Sequence, residues 1–166
     1  MTIQPAQTHP CVVADDFVAE AERMTNDRDI AVIRDIFAPG AAWTTIIDGV
    51  VISAHGIDEI HQRWRVMCRF MQEREMFVRK RLVAANENTI VNNWTGRLAG
   101  SAAARGIEVW QFGPDGLVID QHLYGFLNTG PDTAIKPNIR LLLSHPVNAL
   151  TFARVRWVDP GRMRPK

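Results

Sequence analysis

The chain has 166 residues with 46% hydrophobic and 22% charged side chains, enough for one domain with a substantial core. Its formal net charge of +1 argues against a nucleic-acid-binding protein, and no stretch approaches the roughly 20 apolar residues of a membrane span. The N-terminus lacks the basic start and apolar run of a signal peptide. Cys11 and Cys68 follow no metal or disulfide spacing, so a reduced, cytoplasmic setting is expected.

The first part of the chain is predicted to be helical after a flexible leader, residues 1–12, which is polar and proline-containing. An aspartate at position 15 or 16 is expected to cap a first helix that ends near Thr25. A second short helix begins at Ile30 and is predicted to stop at the Pro39-Gly40 pair.

The middle of the chain is predicted to form a sheet that one helix interrupts. Apolar residues at a spacing of three to four predict this third helix from Ile57 to Met71. Alternating and β-branched segments bounded by turn residues predict strands at 42–48, 50–54, 76–85, 89–99, 106–112 and 117–127. This order predicts an α+β domain over residues 13–128, with helices on one face of an antiparallel sheet. A basic cluster is expected to be solvated surface: Arg74, Arg79, Lys80 and Arg81.

The C-terminal part, residues 129–166, is predicted to be a linker followed by a helical extension. Residues 128–137 have a linker composition, and Pro146 is expected to begin a helix that Ser144 caps. The extension is basic and amphipathic, whereas the body is acidic. We therefore expect it to pack on the body or on a partner subunit.

The hairpin from Gly106 to Leu127 determines which side chains can share a cavity. The predicted cross-strand pairs are Phe112 with Leu117, Trp110 with Ile119, Glu108 with Gln121, and Gly106 with Leu123. This face is the more apolar one, so we assign it to the interior. A slip of one residue in the last strand would exchange that strand's faces.

Glu108 is the leading candidate for chemistry. A carboxyl group beside Trp110 and apolar neighbours loses hydration, which favours its neutral form. We predict that it acts as a general acid or as a hydrogen-bond donor to a developing oxyanion. The structural alternative is a glutamate bonded to Gln121 or paired with an arginine.

Four tryptophans, together with a few polar and apolar side chains, are predicted to line a pocket for an apolar ligand. The predicted pocket residues are Trp43, Thr45, Trp64, Asn92, Trp94, Trp110, Gln121 and Leu123. The alternative for the tryptophans is plain core filling. His55 and His61 have no third ligand at a suitable spacing, so we predict no metal site, and we expect no cofactor.

A second polar group, Asp120, His122 and Tyr124, alternates along the last strand. A histidine two residues from a carboxylate can form an acid–base pair. The predicted register points these side chains outward, which favours a role at a dimer interface. If the last strand is slipped by one residue, they become the alternative active site.

Four short motifs occur in an order and spacing that resemble the nuclear-transport-factor-2-like (NTF2-like) superfamily and, within it, the SnoaL-like, polyketide cyclase-like proteins. The resemblance spans roughly Asp15 to Asn128. The motifs are Asn26-Asp27-Arg28-Asp29, Phe37-Ala38-Pro39-Gly40-Ala41, His55-Gly56-Ile57-Asp58-Glu59-Ile60, and Trp110-Gln111-Phe112 with Asp115-Gly116.

The resemblance implies a cone-shaped, curved antiparallel sheet wrapped around three N-terminal helices, with a pocket at its open end and a homodimer formed through the outer sheet face. The family has an acid on the first strand of the central hairpin, and Glu108 occupies that position here. Thr45 replaces the base of the ketosteroid isomerase-like members, and Ala21 replaces their tyrosine. Leu123 replaces the aspartate of the cyclase-like members, and the hydrolase Arg-x-Asp pattern has no counterpart in residues 92–97.

Two function classes follow from the sequence. The first is a cofactor-independent isomerase, lyase or hydrolase that binds a small apolar, oxygenated molecule, polyketide- or steroid-like, with Glu108 as the acid. Thr45, Gln121 or Asn92 would orient this substrate. The second is a non-catalytic module that binds a ligand or dimerises. Retention of Glu108 favours the first class, and the changes at Thr45 and Leu123 favour the second.

Overall fold

The computed structural model describes residues 9–99, 103–127, 129 and 135–158. It divides into two compact units, Met1–Thr129 and Gly130–Lys166. The described part of the first unit contains a curved, unclosed sheet of six strands in the order β2-β1-β6-β5-β4-β3, with three helices. The predicted α+β fold class is therefore confirmed.

The elements of the first unit follow the predicted order. The helices are α1 (Ala14–Asp27), α2 (Ile33–Ile36) and α3 (Ile57–Glu73). The strands are β1 (Phe37–Ile47), β2 (Val50–His55), β3 (Phe77–Ala85), β4 (Thr89–Arg97), β5 (Ala103–Phe112) and β6 (Val118–Phe126). Neighbouring strands are antiparallel except β1 and β6, which are parallel.

The start of β1 differs from the prediction. Pro39 and Gly40 do not stop a helix; they lie inside β1, which begins at Phe37. Phe37 pairs with Val118, and the register then shifts before Ala42 pairs with Asp120. A proline is tolerated there because the irregular stretch needs no regular ladder donor at that position.

The predicted leader is partly ordered. Residues 1–8 lie outside the described residues, but His9 donates a hydrogen bond from Nε2 to the carbonyl of Gly113 at 3.0 Å. The His9 ring also packs edge-on against the Phe112 ring, with 5.9 Å between the ring centres. A single 3-10 turn, Pro10–Val13, then leads into α1.

The second unit contains helices α4 (Ile135–Ser144) and α5 (Pro146–Val158), which contact each other. The helix predicted to begin at Pro146 is thus observed, whereas α4 begins inside the stretch predicted to be a linker. Pro137 is accommodated there because a proline in the first helical turn removes no hydrogen-bonded N–H. Ile139, Leu142 and Leu143 of α4 are exposed. No helix in the described part of the chain is long and apolar enough to cross a membrane.

Candidate functional site

Three rows of side chains cross the inner face of the sheet, because each strand turns every second residue inward. The first row is Lys80, Trp94, Gly106, Gly125 and Ile47. The second row is Leu82, Asn92, Glu108, Leu123 and Thr45. The third row is Ile90, Trp110, Gln121 and Trp43. The polar side chains of these rows form the candidate site.

The centre of the site is a buried ion pair between Lys80 and Glu108. Lys80 Nζ donates to Glu108 Oε1 at 2.9 Å and to Oε2 at 2.8 Å. The two side chains are only 4% and 5% exposed. The ammonium group also lies 5.7 Å from the centre of the Trp110 ring. This pair holds two opposite charges against aromatic surface and away from water.

A hydrogen-bond chain fixes the orientation of Glu108. Trp110 Nε1 donates to Asn92 Oδ1 at 2.8 Å, and Asn92 Nδ2 donates to Glu108 Oε2 at 2.9 Å. An indole N–H can only donate, so the oxygen of the Asn92 amide must face Trp110 and its nitrogen must face Glu108. Glu108 therefore accepts from both Asn92 and Lys80, as an ionised carboxylate does. The neutral, donating Glu108 expected from the sequence does not fit these partners.

Helix α1 holds the edge strand that carries Lys80. The side-chain amide of Asn26 makes two hydrogen bonds to the backbone of Val78. Its Nδ2 donates to the Val78 carbonyl at 3.0 Å, and its Oδ1 accepts from the Val78 N–H at 2.9 Å. Glu22 accepts from the backbone N–H of Lys80 at 2.6 Å and from Arg79 at 3.1 Å. These bonds fix the register of β3, which directs Lys80 inward and Arg79 to solvent.

The ion pair lies at the wall of an otherwise apolar cavity between the sheet and the helices. Within this cavity, the space open to the centre of a water molecule is about 70 Å³. Several water molecules or a small organic molecule would fit there. Four methionines contribute flexible apolar surface to the cavity, three from helices α1 and α3 and one from the segment before β3: Met24, Met67, Met71 and Met76. The polar groups on its surface include Lys80, Glu108 and Gln121.

Most residues of the predicted pocket do line this cavity. They are Trp43, Trp64, Trp94, Trp110, Gln121 and Leu123, together with Glu108. Thr45 and Asn92 are fully buried in the second row and are not among the lining residues. Asn92 holds Glu108 and Trp110 in place, so it is not free to orient a substrate.

Lys80 is the residue of the candidate site that the sequence did not predict. The basic cluster around it predicts solvated surface, which is correct for Arg79 but wrong for Lys80. Strand alternation was the available signal, because Val78, Lys80 and Leu82 must share one face and two of the three are apolar.

The pairing within the central hairpin also differs from the prediction. Glu108 is opposite Leu123, and Trp110 is opposite Gln121. Phe112 pairs with Val118, one residue from the predicted partner, and a bulge between Gln111 and Phe112 adds a second residue of shift. The register beyond the bulge is therefore two residues from the predicted one, so most inward positions are kept. The exceptions lie next to the bulge: alternation assigns Ile119 to the interior and Val118 to the outer side, whereas Val118 is buried and Ile119 is exposed.

The alternative group on β6 lies on the outer face of the sheet. His122 Nε2 and Asp120 Oδ2 are 3.0 Å apart, and the rings of His122 and Tyr124 stack with centres 6.1 Å apart. The cavity lies on the opposite face, so these three residues do not share it. Asp120 and His122 form a separate, partly exposed polar pair, and the exposed ring of Tyr124 lies beside it.

Among the described residues, no group of three or more histidine, cysteine or acidic side chains is placed to hold a metal ion. Burial raises the pKa of the Cys68 thiol to about 11, so this cysteine is almost entirely protonated near neutral pH.

Comparisons with known proteins show the fold of the chain. No family model matches it, and no curated protein matches it by sequence. A SnoaL-like protein of unknown function from Burkholderia thailandensis is 20% identical, with 69% of this chain and 95% of that chain covered and a TM-score of 0.53.

Two enzymes have similar structures. An epoxide hydrolase/cyclase-like enzyme of salinomycin pyran ring formation is 14% identical, with coverage of 71% of this chain and 94% of that chain and a TM-score of 0.54. A steroid delta-isomerase from Pseudomonas aeruginosa is also 14% identical, with 89% and 99% covered and a TM-score of 0.52. At these identities the chain shares the NTF2-like, SnoaL-like fold with them, as the sequence motifs predicted.

Proposed function

We propose, from the premise that this chain has the NTF2-like fold, that its cavity binds a small, mostly apolar, oxygenated molecule. Glu108, paired with Lys80, is the acid–base group of a cofactor-independent isomerase, lyase or hydrolase reaction. The observation that carries the proposal is the buried ion pair at the wall of an apolar cavity.

The energetics of this pair support a functional role. Removing two charges from water costs several kcal/mol for each ion, and well-packed apolar residues in their place are often as stable or more stable. Ionisable groups in such surroundings are concentrated at functional sites. A pair that is costly for the fold, placed where a ligand can reach it, is therefore best explained by chemistry.

The ionised form of Glu108 defines its role in the reaction. A carboxylate that accepts from Lys80 and Asn92 can remove a proton from carbon next to a ligand carbonyl and return it elsewhere on the same molecule. Lys80 would then stabilise negative charge on the ligand oxygen. Glu108 thus begins the cycle as a base and acts as an acid only after it has taken the proton.

The volume of the cavity bears on the ligand class. A steroid delta-isomerase and a polyether cyclase-like enzyme share the fold, which supports steroid- or polyketide-like ligands as a proposal. The limited space, about 70 Å³ for the centre of a water molecule, favours small members of that class. Larger ligands would require the methionine side chains that line the cavity to move.

The test is deuterium incorporation into small ketones in D2O, with binding followed through the indole N–H signals of ¹⁵N-labelled tryptophans. We expect the wild type to bind ketones in the cavity and to exchange the hydrogens next to the carbonyl. Glu108→Gln should slow this exchange by about 10²- to 10⁴-fold. Asp120→Asn is the matched control, because it changes a carboxylate on the outer face. Equal exchange by Glu108→Gln and the wild type would contradict the catalytic proposal.

A second proposal concerns the outer face of the sheet, which we propose pairs two copies of the chain. Ile107, Tyr124 and Phe126 are exposed there at 45%, 45% and 58%, and Ile107 is directly opposite Tyr124. Exposed apolar surface of this kind is typical of interaction sites. Ile107→Lys should convert a dimer to a monomer in light scattering, whereas a monomeric wild type would contradict this proposal.

A further inference from the structure

The buried cation of the cavity is a lysine in a chain that otherwise relies on arginine. Of the 19 basic residues, all are arginines except Lys80, Lys136 and Lys166. Arginine is the usual choice for a buried ion pair, because its planar guanidinium group binds a carboxylate through two parallel hydrogen bonds and stays charged. Lysine can instead lose its proton and become a nucleophile. A lysine at this position therefore suits a reaction of the amine better than a purely structural ion pair.

The amine of Lys80 lies where a ligand in the cavity can meet it. Lys80 and Glu108 both line the cavity, and their side chains keep 4% and 5% of their surface accessible. Nζ lies 5.7 Å from the centre of the Trp110 ring, which forms part of the same cavity wall. The four-carbon stem of a lysine is flexible, so rotation can turn Nζ from the carboxylate towards the ligand. A carbonyl group in the cavity can therefore approach the amine directly.

Glu108 is placed to take the proton that the amine must lose. Among the described residues it is the one hydrogen-bond partner of Lys80 Nζ, at 2.9 Å and 2.8 Å from its two carboxylate oxygens. A site without water disfavours two charged groups relative to two neutral ones. A ligand that fills the cavity excludes the remaining water, so proton transfer across this contact leaves a neutral amine facing the ligand.

We infer that Lys80 forms an iminium with the carbonyl carbon of a small ketone or aldehyde, and that Glu108 carries the protons. The amine lone pair attacks the carbonyl carbon, and Glu108 moves one proton from the nitrogen to the oxygen, which becomes a hydroxyl group. Glu108 then gives up the proton that it first took from Lys80, and the hydroxyl group leaves as water. One N–H and one positive charge remain on the nitrogen, so the iminium replaces the ammonium as the counterion of the Glu108 carboxylate.

The covalent step fits the charges of the site. This inference rests on the proposed function and adds a covalent intermediate to it. Glu108 can remove a hydrogen from the carbon next to the iminium, which gives a neutral enamine and a neutral carboxylic acid. An apolar cavity holds these neutral groups at lower cost than a free enolate. The same hydrogens of the ligand exchange as in the proposed function, so a second readout is needed to detect the iminium.

The first test is the exchange of the carbonyl oxygen of butanone in water enriched in ¹⁸O. Formation and hydrolysis of an iminium replace this oxygen with one from the solvent, whereas an enolate keeps it. The wild type should speed the entry of ¹⁸O above the rate without protein. Lys80→Arg keeps a cation but cannot form an imine, so the oxygen exchange should fall to that background rate. Lys136→Arg is the matched control, because it removes a lysine of the second unit, and it should leave the exchange unchanged.

The second test uses the wild type alone, so it does not depend on the folding of a variant. Cyanoborohydride reduces an iminium to a stable alkyl-lysine, and peptide mass spectrometry then locates the alkyl group. We expect butanone to label Lys80 in the folded protein in preference to Lys136 and Lys166. Denaturation in urea before labelling should abolish this preference.

Two outcomes would overturn the inference. If the hydrogens of butanone exchange while its oxygen does not and Lys80 stays unlabelled, the covalent step is wrong and the acid–base proposal stands. If the three lysines are labelled equally in the folded protein, the cavity does not activate Lys80. If butanone and other small ketones neither bind nor exchange hydrogens, the proposed function itself fails, which the deuterium measurement shows separately.

Discussion

A lysine–carboxylate pair lies on the inner face of the sheet and a histidine–carboxylate pair on its outer face, and the two pairs differ mainly in their access to water. Lys80 and Glu108 on the inner face are 4% and 5% exposed, whereas His122 and Asp120 on the outer face are 34% and 28% exposed. The closest contacts of both pairs are ordinary, at 2.8 Å and 3.0 Å. Burial, and not contact distance, is what separates them.

This difference in burial indicates which pair is costly to the free energy of folding. An exposed or partly exposed pair contributes little and costs little, because water solvates each charge if the partner is lost. A buried pair depends on its partner, since neither charge can recover its hydration. The surrounding structure must therefore hold the inner pair together. Asn92, Trp110 and helix α1 do so through their hydrogen bonds.

The largest expected effect is the removal of one inner charge. Lys80→Met leaves the Glu108 carboxylate buried without its counterion, so we expect a loss of about 3–5 kcal/mol in the free energy of unfolding. Urea denaturation at neutral pH measures it. Arg79→Met is the matched control, because the neighbouring Arg79 side chain points to solvent and should matter by less than about 1 kcal/mol.

A smaller but still clear effect is expected where the inner face is most crowded. A Cβ atom at Gly106 would lie 2.1 Å from the carbonyl oxygen of Tyr124 and 2.6 Å from Trp94 Nε1. Gly106→Ala should therefore destabilise the protein by about 1–3 kcal/mol and shift the Trp94 indole signal. Gly40→Ala has open space around the new methyl group and serves as the control. Equal stability of the two variants would contradict the tight packing of Trp94.

The smallest effect is expected on the outer face. Asp120→Asn removes the carboxylate charge next to His122 on the same strand, and the free energy of unfolding should change by less than about 1 kcal/mol. The same urea titration measures this change. A loss as large as that of Lys80→Met would mean that the two faces do not differ as their burial indicates.

The sequence predicted the elements and the fold class well, because long amphipathic and alternating segments report directly on burial. The 3–4 spacing from Ile57 onward predicted α3, and the alternation of Glu108, Trp110 and Phe112 predicted the buried face of β5. The four motifs predicted the NTF2-like fold, which the similar solved structures confirm.

The parts that the sequence did not predict depend on long-range contacts. The bulge after Gln111 shifts the hairpin register, and no local pattern shows which strand holds the extra residue. Lys80 is directed inward because Asn26 and Glu22 of α1 fix β3, which are contacts between distant parts of the chain. Arg79 and Arg81 flank Lys80 in the sequence, so the local pattern predicted an exposed segment.

The most direct test of the central claim, that the inner pair serves chemistry and not stability, is the unfolding free energy of the double variant Lys80→Met with Glu108→Gln. The amide oxygen that replaces the carboxylate would still accept from Asn92 Nδ2, and neither charge of the pair would remain. We expect the double variant to unfold within about 1 kcal/mol of the wild type, although Lys80→Met alone loses about 3–5 kcal/mol. A double variant as unstable as the single one would show that the pair holds the fold together and would contradict the claim.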